Sequence, residues 1–214
     1  MKELCAENIK TIKVASRQGI DRIELCSHLD LGGLTPEKEL FLEARAFSQK
    51  KEIKLMTMIR PHAKSFIYND KDLCTMCADI QWFKEHHTDG VVFGCLTKEN
   101  NIDKTALERL VAASQALDIT FHMAFDEIPV NKQQENMALL HDYGIKRILT
   151  HGGKMTDSIE SHLDHLNQLI SWAQAHNITI MPGGGITYKN LASLQKKLST
   201  SEWHGTKIVG EFDE

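Results

Sequence analysis

Short runs of β-branched and other apolar residues alternate along this chain with longer segments whose apolar positions recur every three or four residues. The strand-like runs are RIELC (22–26), KLMTMI (54–59), GVVFG (90–94), ITFHMA (119–124), RILT (147–150) and ITIM (178–181). Between them, 69–87 sets Leu73, Met76, Cys77, Ile80 and Phe83 on one helical face after an Asn-Asp start suited to capping. The segments 103–117 (Leu107, Leu110, Val111) and 158–176 (Ile159, Leu163, Leu166, Ile170, Ala173) repeat the pattern, which predicts crossover helices. Weaker strand signals before Cys5 and at SEWHG (201–205) bring the count to eight strands and about seven helices. That alternation predicts an α/β fold, a TIM (β/α)8-type barrel.

Two details refine the prediction. GIDRIELC (19–26) and GIKRILTH (144–151) share a helix-ending Gly, a packing Ile and a strand-starting Arg, as repeated βα units would. After the last strand only 206–214 remain, too few for a full helix, so the eighth helix is expected to be incomplete or missing. An uncovered strip beside the first and last strands would expose apolar surface, and self-association into a dimer or tetramer is the usual way to hide it. No linker or low-complexity tract interrupts the chain, so 1–214 is read as one domain.

Composition narrows the function classes. The 214 residues are 42% hydrophobic and 25% charged, the range of a globular protein. With 25 Lys+Arg against 29 Asp+Glu and no basic block, nothing recommends nucleic acid as a partner. The start MKELCAENIK is too polar for a signal peptide and no apolar run is long enough to cross a membrane, so a cytoplasmic location is expected. In that setting the five cysteines are expected to be free thiols.

In a parallel barrel the chemistry gathers at the carboxyl ends of the strands. Glu24 stands out there, because it interrupts an apolar strand and an unpaired buried carboxylate is costly. Arg60, ending the adjacent strand, is its expected partner, or else the holder of a ligand anion. His122 and His204, on strands five and eight, are candidate acid-base groups or satisfied core histidines. Asp126 either orients His122 or caps the next helix. MPGGGIT (181–187) places Gly183, Gly184 and Gly185 directly after strand seven, where barrels often bind phosphate, although a tight turn needs the same glycines.

Cys5 and Cys26 fall on neighbouring strands, where two thiolates suit Cu(I) and two thiols equally suit a core. Met56, Met58, Met123 and Met181 offer either further thioether ligands or core filling, the commoner role. CTMC (74–77) lies inside a helix and reads as packing, while HLDH (162–165) and the pair His86, His87 read as solvated helix faces or ends.

RIELCSHLDLGGLTP (22–36), MIRPH (58–62), DGVVFG (89–94), TFHMAFD (120–126), RILTHGG (147–153), IMPGGGI (180–186) and WHG (203–205) together resemble the CutC family, named copper homeostasis proteins. The resemblance implies a TIM barrel with a shortened helical complement, a cytoplasmic location, and copper handling through Cu(I) at Cys5 and Cys26. This chain departs from the family pattern at His62, where a basic residue is usual, at Met123, where Arg is usual, and at His151, where Ser is usual. The charged mouth also fits a second reading, an enzyme acting on a small anionic or phosphorylated substrate. There Glu24 or His122 would exchange a proton, Arg60 would hold the anion and Gly183 to Gly185 would bind phosphate.

Overall fold

The computed structural model describes residues 1–212. Eight parallel strands form a nearly closed barrel: β1 (Lys2–Ala6), β2 (Arg22–Leu25), β3 (Lys54–Met58), β4 (Gly90–Phe93), β5 (Asp118–Phe121), β6 (Arg147–Thr150), β7 (Thr179–Pro182) and β8 (Trp203–Gly205). The ladder runs β7-β6-β5-β4-β3-β2-β1-β8. Beyond the ends of β7 and β8, a single parallel bridge from Thr187 to Lys207 ties the two loops across the seam. The crossover helices are α1 (Ile9–Ala15), α2 (Lys38–Lys51), α3 (Asp70–Glu85), α4 (Lys104–Ala113), α5 (Val130–Asp142), α6 (Leu163–Gln174) and a single turn, α7 (Leu191–Leu194). None of the helices is long and apolar enough to cross a membrane.

Strand alternation separates two interiors. Residues such as Leu4, Ile23, Leu25, Phe93 and Phe121 join the main apolar core, which the helix faces cover, while Glu3, Cys5, Arg22 and Glu24 turn into the barrel. Helix α3 illustrates the local logic. Asn69 accepts from the amides of Lys71 and Asp72 while Asp72 returns a bond to the Asn69 amide, and Leu73, Met76, Ile80 and Phe83 are buried. Cys77 packs partly against the same core and Cys74 is exposed, its sulfur accepting from Arg109.

Residues 206–212 form no helix, as expected for a missing eighth helix; positions 213 and 214 of that stretch lie outside the described residues. The bare apolar strip does not appear. Ile208 is buried, Val209 and Phe212 pack against the main core, and Leu4 and Trp203 beside the seam are 0% and 2% exposed. The extended tail therefore covers what a helix would have covered, which removes the physical ground for expecting self-association at that strip.

Candidate functional site at the barrel mouth

The lower half of the barrel interior is a closed ion network. Arg22 bonds Glu3 and Glu202, and Arg147 bonds Glu202 at 2.6 Å, Asp118 at 3.1 Å and the Thr120 hydroxyl at 3.1 Å. Neighbouring strands bring these groups level, since Glu3 pairs in register with both Arg22 and His204. Burial alone would raise the Glu3 pKa, but the hydrogen bond from His204 and the charge of Arg22 outweigh it and hold Glu3 down at about 2. The sequence reading noted Arg22 and Arg147 as strand starts and passed over Glu3 and Glu202. The signal for Glu3 was a charge just before the apolar run of β1, whereas Glu202 precedes β8 and carried no periodic signal.

Above the network, His204 links base to mouth. Its Nδ1 donates to Glu3 at 2.8 Å and its Nε2 lies 3.9 Å from Glu24. Burial disfavours the imidazolium, yet the Glu24 and Glu3 carboxylates more than offset that and raise the His204 pKa. Glu24 is 1% exposed. One of its oxygens accepts from the Cys5 thiol at 3.3 Å, and the other, Oε2, is buried with no partner. Burial raises the Glu24 pKa; Glu3 adds to the effect and His204 opposes it.

Cys5, Glu24 and His204 present ligand atoms within 4.8 Å of one another. Cys26 stands beside them, its sulfur 3.7 Å from that of Cys5. The two cysteines, Met56, Met58 and Val92 form a separate apolar cluster inside the barrel. The Cys26 contact, then burial, then the Glu24 carboxylate all push the Cys5 thiol up, so it carries its proton at neutral pH.

The structure corrects the partner expected for Glu24. Arg60 does not reach it. Its Nη1 donates to the carbonyls of Leu31, Gly32 and Gly33, each at 3.1 Å, and its guanidinium lies over Phe66 at 4.9 Å. In register Glu24 stands level with Met56, and Arg60 is four residues further along, about 13 Å for an extended chain. At that height it anchors the loop after β2, which Glu7 also holds by accepting from the Leu29 amide at 2.9 Å.

His122 ends β5 and caps a short 3₁₀ turn, Met123–Glu127, its Nδ1 accepting from the Ala124 amide at 3.2 Å. The run read as ITFHMA therefore stops being a strand at Phe121. The His122 ring rests on Gly94, where a Cβ would meet its Nδ1 at 2.6 Å. Burial, reinforced by the Arg60 charge, lowers the His122 pKa to about 3, so the ring is neutral.

Asp126 neither orients His122 nor caps α5. Its carboxylate accepts from the Thr150 hydroxyl and from the amides of His151 at 2.9 Å and Gly152 at 3.0 Å, and so holds the loop after β6. Burial raises its pKa against those bonds. His151 in turn donates from Nδ1 to the Gly183 carbonyl at 3.0 Å. Gly184 and Gly185, at φ 78° and 82°, reach the mouth, whereas Gly183 lies behind it. His28 is exposed on the rim. His162 is not a solvated helix residue, for its ring meets that of His151 edge-on at 5.1 Å. His165 is also drawn inward, bonding Gln133 at 2.8 Å.

A cavity of about 220 Å³ opens at this end of the barrel. Cys5, Glu24, Arg60, His122 and His204 supply its polar wall, and Phe66, Met123 and Leu149 contribute to the apolar one. The sequence reading passed over Phe66, which belongs to no strand and carries no reactive group. The arrangement combines a few convergent polar groups with an apolar lining, as small-ligand sites do.

The CutC family model matches residues 1–209. A CutC family protein of Enterococcus faecalis (strain ATCC 700802 / V583) is 42% identical over 209 residues, spanning 98% of this chain and 100% of that protein. The human copper homeostasis protein cutC homolog is 37% identical over 202 residues, spanning 94% of this chain and 71% of that one. A crystal structure of CutC from Streptococcus agalactiae superposes with a TM-score of 0.93 at 38% identity, covering 97% and 99% of the two chains. The aldolase QR15, at a TM-score of 0.70 and 10% identity, shares the fold alone. A family match over nearly all of its length and relatives of this identity place this chain in the CutC family of copper homeostasis proteins.

Proposed function

We infer that the protein binds Cu(I) through the thiolates of Cys5 and Cys26 and serves copper homeostasis in the cytoplasm, where cysteines remain reduced. The observation that carries this reading is the cluster inside the barrel: of its five buried members, four bear sulfur. Thiolates and thioethers are the ligands that a soft monovalent copper ion prefers. Metal-thiolate bonds run about 2.3 Å in the zinc case, so two sulfurs on one ion lie at most about 4.6 Å apart. The 3.7 Å between Cys5 and Cys26 falls inside that limit without backbone movement. His204, which belongs to the same ligand cluster as Cys5, supplies a nitrogen donor, and Glu3 fixes its ring through Nδ1.

Because Cys5 is held protonated in the metal-free protein, Cu(I) must displace its proton, and affinity should rise with pH. An anaerobic competition titration against a chromophoric Cu(I) chelator tests the reading. Replacing both cysteines by serine should weaken binding by at least about a hundredfold, since even outer-shell partners are worth roughly 10–100-fold. Equal affinity in the double variant would remove the proposal.

A further inference from the structure

Buried polar atoms are nearly always paired, so the exceptions locate what is missing. Three of them lie on residues lining the same cavity: Arg60 Nε, His122 Nε2 and Glu24 Oε2. Arg60 is 8% exposed and forms no ion pair with any carboxylate among the described residues. Its Nη1 is used by three loop carbonyls, which leaves Nε free to donate. His122 is 4% exposed, and the Ala124 amide, donating to Nδ1, fixes the ring proton on Nε2. The neutral ring therefore keeps an Nε2–H donor at physiological pH, and no group among the described residues accepts from it. Phe66 touches both, with the guanidinium 4.9 Å and the imidazole 4.9 Å from its ring centre.

A cationic donor beside the Tyr68 hydroxyl and a neutral donor, both buried against one aromatic ring and neither paired with a carboxylate among the described residues, match an oxyanion with two or more oxygens. Glu24 Oε2 adds an acceptor on the same cavity wall, and a hydroxyl, which both donates and accepts, would satisfy it. The volume of about 220 Å³ exceeds what a bare ion needs and suits a small organic molecule.

We propose that the barrel mouth is a binding site for a small hydroxylated organic anion, its carboxylate or phosphate held by Arg60 and His122 against Phe66 and its hydroxyl on Glu24. The site adjoins the thiolate pair, since Cys5 lines the same cavity and its thiol donates to Glu24, but the anion-holding groups, Arg60 and His122, are not among the copper ligands. Its existence does not depend on whether Cys5 and Cys26 carry copper.

Isothermal titration of the full-length protein with glycolate and with inorganic phosphate tests the proposal, and the probe that binds identifies the oxyanion. Saturable binding is expected for at least one, accompanied by a shift of the His122 Nε2–H resonance. Arg60→Gln should weaken it roughly 10–100-fold, the worth of a charge-assisted hydrogen bond. Because Arg60 also holds a loop, His122→Phe is the second variant. It removes the neutral donor together with the Nδ1 acceptor of the Ala124 amide, keeps an aromatic ring beside Phe66, and should weaken anion binding while leaving Cu(I) affinity unchanged. No saturable binding of either probe, or affinities untouched by both substitutions, would overturn the proposal.

Discussion

Arg22 and Arg60 are both buried guanidiniums in neighbouring parts of the barrel, and the fold treats them in opposite ways. Arg22, at the base, sits between Glu3 and Glu202, and no fully buried side-chain nitrogen or oxygen of Glu3, Arg22, Arg147 or Glu202 is left without a partner. Arg60, at the mouth, meets loop carbonyls, the Phe66 ring and the Tyr68 hydroxyl rather than a carboxylate, and it shares its cavity with Glu24 and His122, each of which keeps one unpartnered atom. Matched charge at the base fastens strands together. Unmatched polarity at the mouth has no structural purpose that the protein itself completes, which is the usual mark of a ligand site.

Acid should break the comparison most strongly, and in a fixed order. The folded state holds His122 at a pKa of about 3 against an ordinary 6.5. The unfolded chain therefore gains a proton that the folded chain refuses, and stability present above about pH 6.5 is lost as pH falls toward 3. That loss is on the order of 5 kcal/mol. Glu3 acts lower, with a folded pKa of about 2 against 4.5. Its contribution, on the order of 3 kcal/mol, is present above about pH 4.5 and lost toward pH 2. Urea unfolding of wild type and His122→Phe between pH 7 and 4.5 checks the order. The variant's stability should fall less steeply, by up to about 1.4 kcal/mol per pH unit. Identical slopes would mean that His122 is not held neutral. A bound anion should flatten the wild-type slope as well, by favouring the imidazolium.

Arg22→Met should be nearly as damaging at neutral pH, because it strips Glu3 and Glu202 of their shared cation in a dry interior. The expected loss is about 3–5 kcal/mol, read from the urea midpoint. A loss below about 1 kcal/mol would show that the base network is dispensable. At the mouth, His122→Phe should lower stability at pH 7 by about 0.5–2 kcal/mol, since it deletes an unpartnered donor and keeps the ring but strips the Ala124 amide of its Nδ1 acceptor. Glu24→Gln should have the smallest effect, within about 1 kcal/mol at pH 8 and in the stabilising direction, because it relieves a buried carboxylate held above its ordinary pKa. Thermal melts of Glu24→Gln and Glu3→Gln side by side sharpen the contrast, with only the latter expected to fall by several degrees.

How much of this was legible in the chain depends on the range of the interaction. The eight strands were legible because β-branched runs and helical periodicity are local, and boundaries slipped only where a cap intervened, as at Phe121 and His122. Glu24 was legible as a mouth residue because a carboxylate in an apolar strand is conspicuous by itself. Its partner was not, because strand adjacency puts Arg60 near Glu24 in plan, while register puts it four residues higher. Asp126 turned toward β6 for a similar reason: the turn after β5 overhangs the neighbouring strand and finds the free amides of His151 and Gly152.

The sequence by itself determined the alternation of strands and helices, the lack of an eighth helix over 206–212, and the residue types that close the mouth. Those follow from local periodicity, chain length and chemistry that each residue carries with it. Only the tertiary structure decided which charges are matched. Glu3, Arg22, Arg147 and Glu202 are separated by up to 199 positions and meet because barrel closure brings β8 beside β1, which joins scattered charges into one ion-paired network. The same closure gathers Arg60, His122 and Glu24 around one cavity, each with one buried atom that no described residue satisfies, a juxtaposition that no run of sequence contains.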